Sequence, residues 1–161
     1  MSDANNQDIL RASPLGSELS DDECARLAAI LTTRRLQDGE LLIEEGKVDH
    51  SLHGIVKGAL AVGKVVGGGD WVTLHLLHEG DIAGELGFID GLGHSASLRA
   101  VGATEVFTIE RERFEGLLQA QPALVYKVMR AIVRVVHAIL RRMNIQHIEL
   151  TNYITKQHGR Y

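Results

Sequence analysis

Aromatic residues make up only 4% of the 161-residue chain, so its core has to be built from Leu, Ile, Val and Ala. A single cysteine, Cys24, excludes an internal disulfide and fits a cytoplasmic location. No apolar run approaches the ~18 residues that a membrane span requires, and no membrane association is expected. Met1 to Ser13 is polar and acidic and has neither the basic nor the apolar region of a secretory leader. No nucleophile–base pair and no pair of carboxylates stands at a spacing that specifies catalysis, so the chain is not expected to be an enzyme. His50 and His53, like His75 and His78, are three apart. On a strand that spacing sends the two side chains to opposite faces, so no metal site is expected.

What is present is an ordinary globular composition, 45% hydrophobic, with a net charge of −4 that hides an asymmetry. Residues 111–161 carry nine Lys or Arg against three Glu, whereas residues 1–110 carry eight basic and eighteen acidic groups. The plain reading is a basic C-terminal helix lying beside an acidic body. Attraction of that helix to nucleic acid or anionic lipid is the sharper alternative, and the acidic body argues against it.

Residues 1–17 show no period and read as a flexible lead. Ser20-Asp21-Asp22-Glu23 has the form of a capping box, opening a helix that is apolar at Cys24, Leu27, Ala28, Ile30 and Leu31 and should end near Thr32. Short apolar runs then alternate with Asp38-Gly39, Glu45-Gly46, Lys57-Gly58 and the hairpin tip Gly67-Gly68-Gly69-Asp70. Between Trp71 and Leu77 the alternation puts Val72, Leu74 and Leu76 on one face and Trp71, Thr73 and His75 on the other. Two further strands are expected at Leu98–Val101 and Glu105–Ile109. The pattern predicts a mainly β protein with flanking helices: an antiparallel, jelly-roll-like β-roll or a barrel over residues 18–121. A short helix over Arg111–Gln119 precedes a long one over 122–150, and 151–161 form a tail. Pro122 suits the first turn of that long helix. Along it Val125, Val128 or Met129, Ile132, Val135 or Val136, Ile139 and Met143 recur in three- and four-residue steps. Such a seam predicts a parallel homodimer through the helix, with packing on the chain's own roll as the other use of the same residues.

Gly80 to Ala100 combines a Gly-Asp turn, a short helix near Glu85–Ile89, a glycine-rich turn and an alternating strand. Amides at a helix start are anion donors, Gly84 and Gly87 admit close approach, and Glu85 is an acceptor for sugar hydroxyls. Gly84-Glu85-Leu86-Gly87, followed by Ser95-Ala96-Ser97, resembles the phosphate-binding cassette of the cyclic-nucleotide-binding domain family, in particular the effector domain of bacterial catabolite activators. The resemblance implies a cyclic nucleotide, cAMP or cGMP, as ligand and no other cofactor. It implies that Glu85 holds the ribose 2′-hydroxyl and that Ser95 bonds the phosphate. The family's phosphate-binding Arg corresponds here to His94, which implies weakened or altered binding. Arg99, alternating onto the face of Ser95 and Ser97, is an alternative source of positive charge. By the same similarity Gln146 and His147 on the long helix correspond to the pair that reads the base. Only about a dozen residues follow Glu149, too few for the DNA-reading domain of the family's transcription factors. The expectation is therefore a stand-alone sensor that signals to an unknown effector protein. A dimeric scaffold with an empty pocket and a cyclic dinucleotide receptor are the alternatives.

Overall fold

The computed structural model describes residues 3–158. Where a flexible lead was expected, Asp3–Arg11 form a helix, α1. Its anchors are sparse, which is why no period is visible: Leu10 is fully buried, and Leu15 and Leu19 beyond it are buried too. Asn6 Nδ2 donates to the carbonyls of Ala28 and Leu31, and Arg11 pairs with Asp21. The second helix, α2 (Asp21–Ala28), starts on the predicted capping box, with Glu23 N–H donating to Ser20 Oγ and the Glu23 carboxylate accepting from Ser20 N–H. It stops four residues short of Thr32, because Leu31 enters strand β1 (Leu31–Leu36) and pairs with Ile109. Ser20→Ala removes the cap oxygen and is expected to cost about 1 kcal/mol. The check is a lower urea midpoint with an unchanged m-value.

The remaining strands are β2 (Leu41–Ile43), β3 (Ser51–Val66), β4 (Asp70–Leu77), β5 (Ile82–Ala83) and β6 (Ser97–Glu110). Together with β1 they make a six-stranded antiparallel sheet ordered β1-β6-β3-β4, in which β2 pairs with β6 and β5 with β3. Lys57-Gly58, expected as a turn, is instead a bulge inside the continuous strand β3, with Gly58 at φ 87°. The two strands expected after the cassette likewise run on as one, β6. A second bulge, where β4 steps from His75 to Thr73 opposite Val62 and Gly63, leaves Leu74 as the extra residue and resets the predicted alternation.

Two apolar clusters hold the chain. One fills the roll around Leu36, Ile55, Leu60, Leu98 and Val106. The other lies between the sheet and the helices, around Leu27, Leu52, Phe107, Phe114, Leu124 and Val128. The short helices α3 (Glu85–Asp90) and α4 (Arg111–Glu115) join it through Phe88 and Phe114, whose ring centroids are 5.3 Å apart.

The last helix, α5 (Pro122–His158), has 37 residues, about 55 Å at 1.5 Å per residue. It continues through most of the predicted tail, whose final three residues lie outside the described residues, as do Met1 and Ser2. The predicted seam is only partly available for a partner. Val125, Val128 and Ile132 are buried against the chain's own body, whereas every described side chain from Leu140 to Lys156 is exposed. A different seam runs in steps of three, four and once seven residues through exposed Val133, half-buried Val136, and exposed Leu140, Met143, Leu150 and Ile154. The basic first half of α5 lies against acidic residues of the N-terminal segment, as the charge asymmetry suggested. Lys127 pairs with Glu23, and Arg130 and Arg134 with Glu18. Their bonds hold both carboxyls below the usual range, Arg134 acting mainly on Glu18 and Lys127 on Glu23. Among the described residues no helix is long and apolar enough to cross a membrane, and no cluster of His, Cys, Asp or Glu could hold a metal ion.

Candidate ligand-binding site

Strand β5 sets the cassette. His53 and Gly54 of β3 pair with Ala83 and Ile82, and the chain then turns through Gly84 at φ 76° into α3. Only glycine fits at residue 84: besides its left-handed backbone, a Cβ there would sit 2.9 Å from the Ser51 carbonyl. The first bond of the helix runs from Phe88 N–H to Gly84 O, so the amides of Glu85, Leu86 and Gly87 have no intrahelical acceptor. Beneath the cassette, His53 is buried and bridged: one ring nitrogen lies 2.9 Å from Thr108 Oγ1, the other 2.8 Å from Asp49 Oδ2. Burial alone would raise the Asp49 carboxyl, but the hydrogen bond and charge of His53, with bonds from Ser51, bring it below the ordinary value. That bridge fastens the Asp49 turn, β3 and β6 to one another under the site.

Beyond the cassette opens a cavity of about 720 Å³. Its walls come from β3 and β4 (Val62, Lys64, Leu74, His75, Leu77), from the cassette and its loop, and from one face of α5 (Ile139, Arg142, Met143, Gln146). Volume and composition suit a small organic ligand with an apolar base or ring and a few fixed polar groups. Glu85 is on the wall, and burial pushes its carboxyl above the usual range, its own N–H and the nearby His94 pulling it part of the way back. No Lys or Arg forms an ion pair with it among the described residues.

A family comparison decides what this cavity is part of. The cyclic nucleotide-binding domain matches residues 33–121, from β1 to the end of the roll. The chain belongs to that family. This cyclic nucleotide-binding domain is 32% identical over 117 residues to the cAMP-activated global transcriptional regulator CRP of Salmonella typhimurium, an alignment covering 71% of the chain and 56% of the relative. The chain thus spans about half the length of that curated relative. Its fold is similar to a cyclic nucleotide-binding domain from Methylobacillus flagellatus, with a TM-score of 0.82, 24% identity and coverage of 91% of this chain and 84% of that one. It is similar also to the catabolite activator protein of Thermus thermophilus, with a TM-score of 0.71, 25% identity and coverage of 86% and 63%.

Within the domain the predicted residues separate into two groups. Gly84, Glu85, Leu86, Gly87, His94, Ser95, Ala96 and Gln146 all line the cavity. Ser97 and His147 do not. Ser97 is buried at 6% exposure and accepts the Glu45 N–H at 2.8 Å, tying the turn after β2 to β6. His147 is exposed and falls on the seam between Met143 and Leu150. Arg99 is not on the wall either: its guanidinium lies over the Trp71 ring, 4.2 Å from the centroid. His94 lines the cavity, but its Nε2 is closed off from solvent and has no hydrogen-bond partner among the described residues. The ring is packed on the cassette, its Cε1 standing 2.8 Å from where a Gly87 Cβ would be. Of the paired histidines, only His75 reaches the wall. Sequence reasoning missed Arg142, Ile139 and Asp90, which also line the cavity. Helical spacing could have found the first two, since Ile139, Arg142 and Gln146 share a face.

Proposed function

We propose that this domain is a regulatory receptor for a cyclic mononucleotide, cAMP or cGMP, and that α5 passes the binding event to a partner protein in the cytoplasm. The observation that carries the reading is the place of Glu85: a half-buried carboxylate on the wall of a large cavity, paired with no Lys or Arg among the described residues, and pushed above the usual range by that burial. A carboxylate partly removed from water is costly unless donors reach it, and ribose hydroxyls are such donors. Supporting this, the amides of Leu86 and Gly87 start the same helix, and the apolar walls Val62, Leu74 and Met143 are suited to a base.

Affinity is set low by His94. Where the family carries an Arg, an imidazole whose Nε2 is packed away offers no bidentate grip on a phosphate. Isothermal titration should therefore give saturable binding of cAMP or cGMP, and His94→Arg should tighten it about 10- to 100-fold. No heat from either nucleotide with either protein would overturn the reading. Selective binding of a cyclic dinucleotide would replace the ligand class but keep the receptor.

The exposed seam on α5 favours a second element of the proposal, a parallel homodimer formed by that helix. Met143 belongs both to the seam and to the cavity wall, so one side chain borders ligand and partner helix alike. Dimerisation without a ligand, on an empty pocket, is what remains if the titrations fail.

A further inference from the structure

An anionic ligand needs a counter-charge; the wall imidazoles of His75 and His94 carry no permanent one, which leaves Lys64, Arg99 and Arg142 as the permanent cations at or beside this cavity. Lys64 is on the wall but its Nζ is 3.1 Å from the Glu45 carboxylate. Arg99 is off the wall, held over Trp71. The Nε2 of His94 is occluded against the cassette. Arg142 is on the wall, its residue is exposed, and among the described residues it makes no ion pair with any carboxylate. It stands one turn before Gln146 on the α5 face that closes the cavity.

We infer that Arg142, on α5, supplies the positive charge that recognises the anionic group of the ligand, in place of a cation on the cassette loop. The inference rests on the receptor reading above and adds a residue to it. A guanidinium carries five donors in a planar fork, so it suits a phosphate with two free oxygens. Its place has a consequence for signalling. The hydroxyl-binding carboxylate is on the roll and the phosphate-binding cation on α5, so a bound nucleotide bridges the roll to the second half of α5, whose described side chains beyond Ile139 are all exposed, whereas the first half is already packed on the sheet through Val125, Val128 and Ile132. A ligand lacking the anionic group would fill the roll side and meet α5 only through the base, at Met143 and Gln146, without the charged contact. Ligand charge would then be the quantity that α5 senses.

The test is calorimetric titration of wild type, Arg142→Gln, Arg142→Lys and Arg99→Gln with whichever of cAMP and cGMP binds wild type more tightly, and with the matching nucleoside, which lacks the phosphate. Arg142→Gln should weaken the cyclic nucleotide about 10- to 100-fold and leave the nucleoside within about twofold. Arg142→Lys should recover part of the loss, and Arg99→Gln should match wild type. Residue 142 is exposed and Gln is a good helix former, so folding is not at issue. If Arg142→Gln binds the cyclic nucleotide as wild type does, or loses nucleoside and nucleotide equally, the role assigned to Arg142 is wrong while the receptor reading stands. If wild type binds no cyclic nucleotide, both fall together.

Discussion

Glu85→Ala is expected to raise the melting temperature of the ligand-free protein and to cut cyclic-nucleotide affinity by about a hundredfold or more. Both effects come from the same group. The carboxylate is held on the cavity wall, where burial penalises its charged form more than its own amide and His94 compensate. Removing it relieves that penalty. It also deletes the acceptor proposed for the ligand's hydroxyls, and each charged hydrogen bond of this kind contributes about 1.5–3 kcal/mol. Glu85→Gln keeps the shape without the charge, so it should share the gain in stability and retain an intermediate affinity. The pH dependence gives an independent check. Folded Glu85 holds its proton to higher pH than in the unfolded chain, so its contribution is harmless below the ordinary carboxyl range. It becomes destabilising as pH rises from the ordinary carboxyl value of about 4.5 through the raised one. The melting temperatures of wild type and Glu85→Ala should therefore lie close together near pH 4 and diverge toward pH 7. A gap independent of pH, or a variant less stable than wild type at pH 7, would mean that Glu85 is not held at a cost. Site residues that lower stability in the empty protein are what a binding function selects.

Much of the fold was legible because its turns and caps are written in local chemistry. The capping box at Ser20 and Glu23 forms as read, Pro122 opens α5, and the glycine tip at Gly67–Gly69 joins β3 to β4. The misreadings have a common cause, which is pairing over a distance. Lys57-Gly58 looks like a turn locally, yet β6 runs alongside and holds β3 straight on both sides of the bulge. Ile30 and Leu31 continue the apolar face of α2, yet the Leu31–Ile109 pair claims Leu31 for the sheet. Helix α1 escaped notice because it is anchored by Leu10 and by Asn6 capping two carbonyls, not by an amphipathic stripe. The cassette was legible as a motif, but which side chains face the cavity was not. One bulge turns both Leu74 and His75 onto the wall, and a single bond from Glu45 N–H draws Ser97 away from it. Arg99 and Arg142 could not be ranked without knowing that Trp71 occupies the first.

Leu140→Glu combined with Leu150→Glu is expected to separate the homodimer proposed through α5 into monomers. The two leucines are 53% and 58% exposed in the single chain and lie ten residues apart on the seam Val133, Val136, Leu140, Met143, His147, Leu150, Ile154. Those steps of three and four place every member on one side of the helix over about three heptads, the pattern that a parallel pair of helices requires. In a two-fold pair each substitution is felt twice. Burying one leucine contributes about 1.5–3 kcal/mol, so four lost leucines amount to roughly 6–12 kcal/mol, more than ten-thousandfold in the dimer constant before any repulsion between the new carboxylates. His147 has a place in this scheme: a single polar residue among apolar seam positions fixes register and orientation at some cost in stability. Ile145→Glu is the control, because Ile145 is 55% exposed but lies off the seam. Sedimentation equilibrium should find wild type and Ile145→Glu dimeric and the double variant monomeric, with circular dichroism showing the body of the fold intact, since neither leucine touches either core cluster. A monomeric wild type, or a double variant that still dimerises, would sink the pairing. The seam predicted at Val125, Val128 and Ile132 cannot substitute for it, because those side chains are already spent inside the chain's own core.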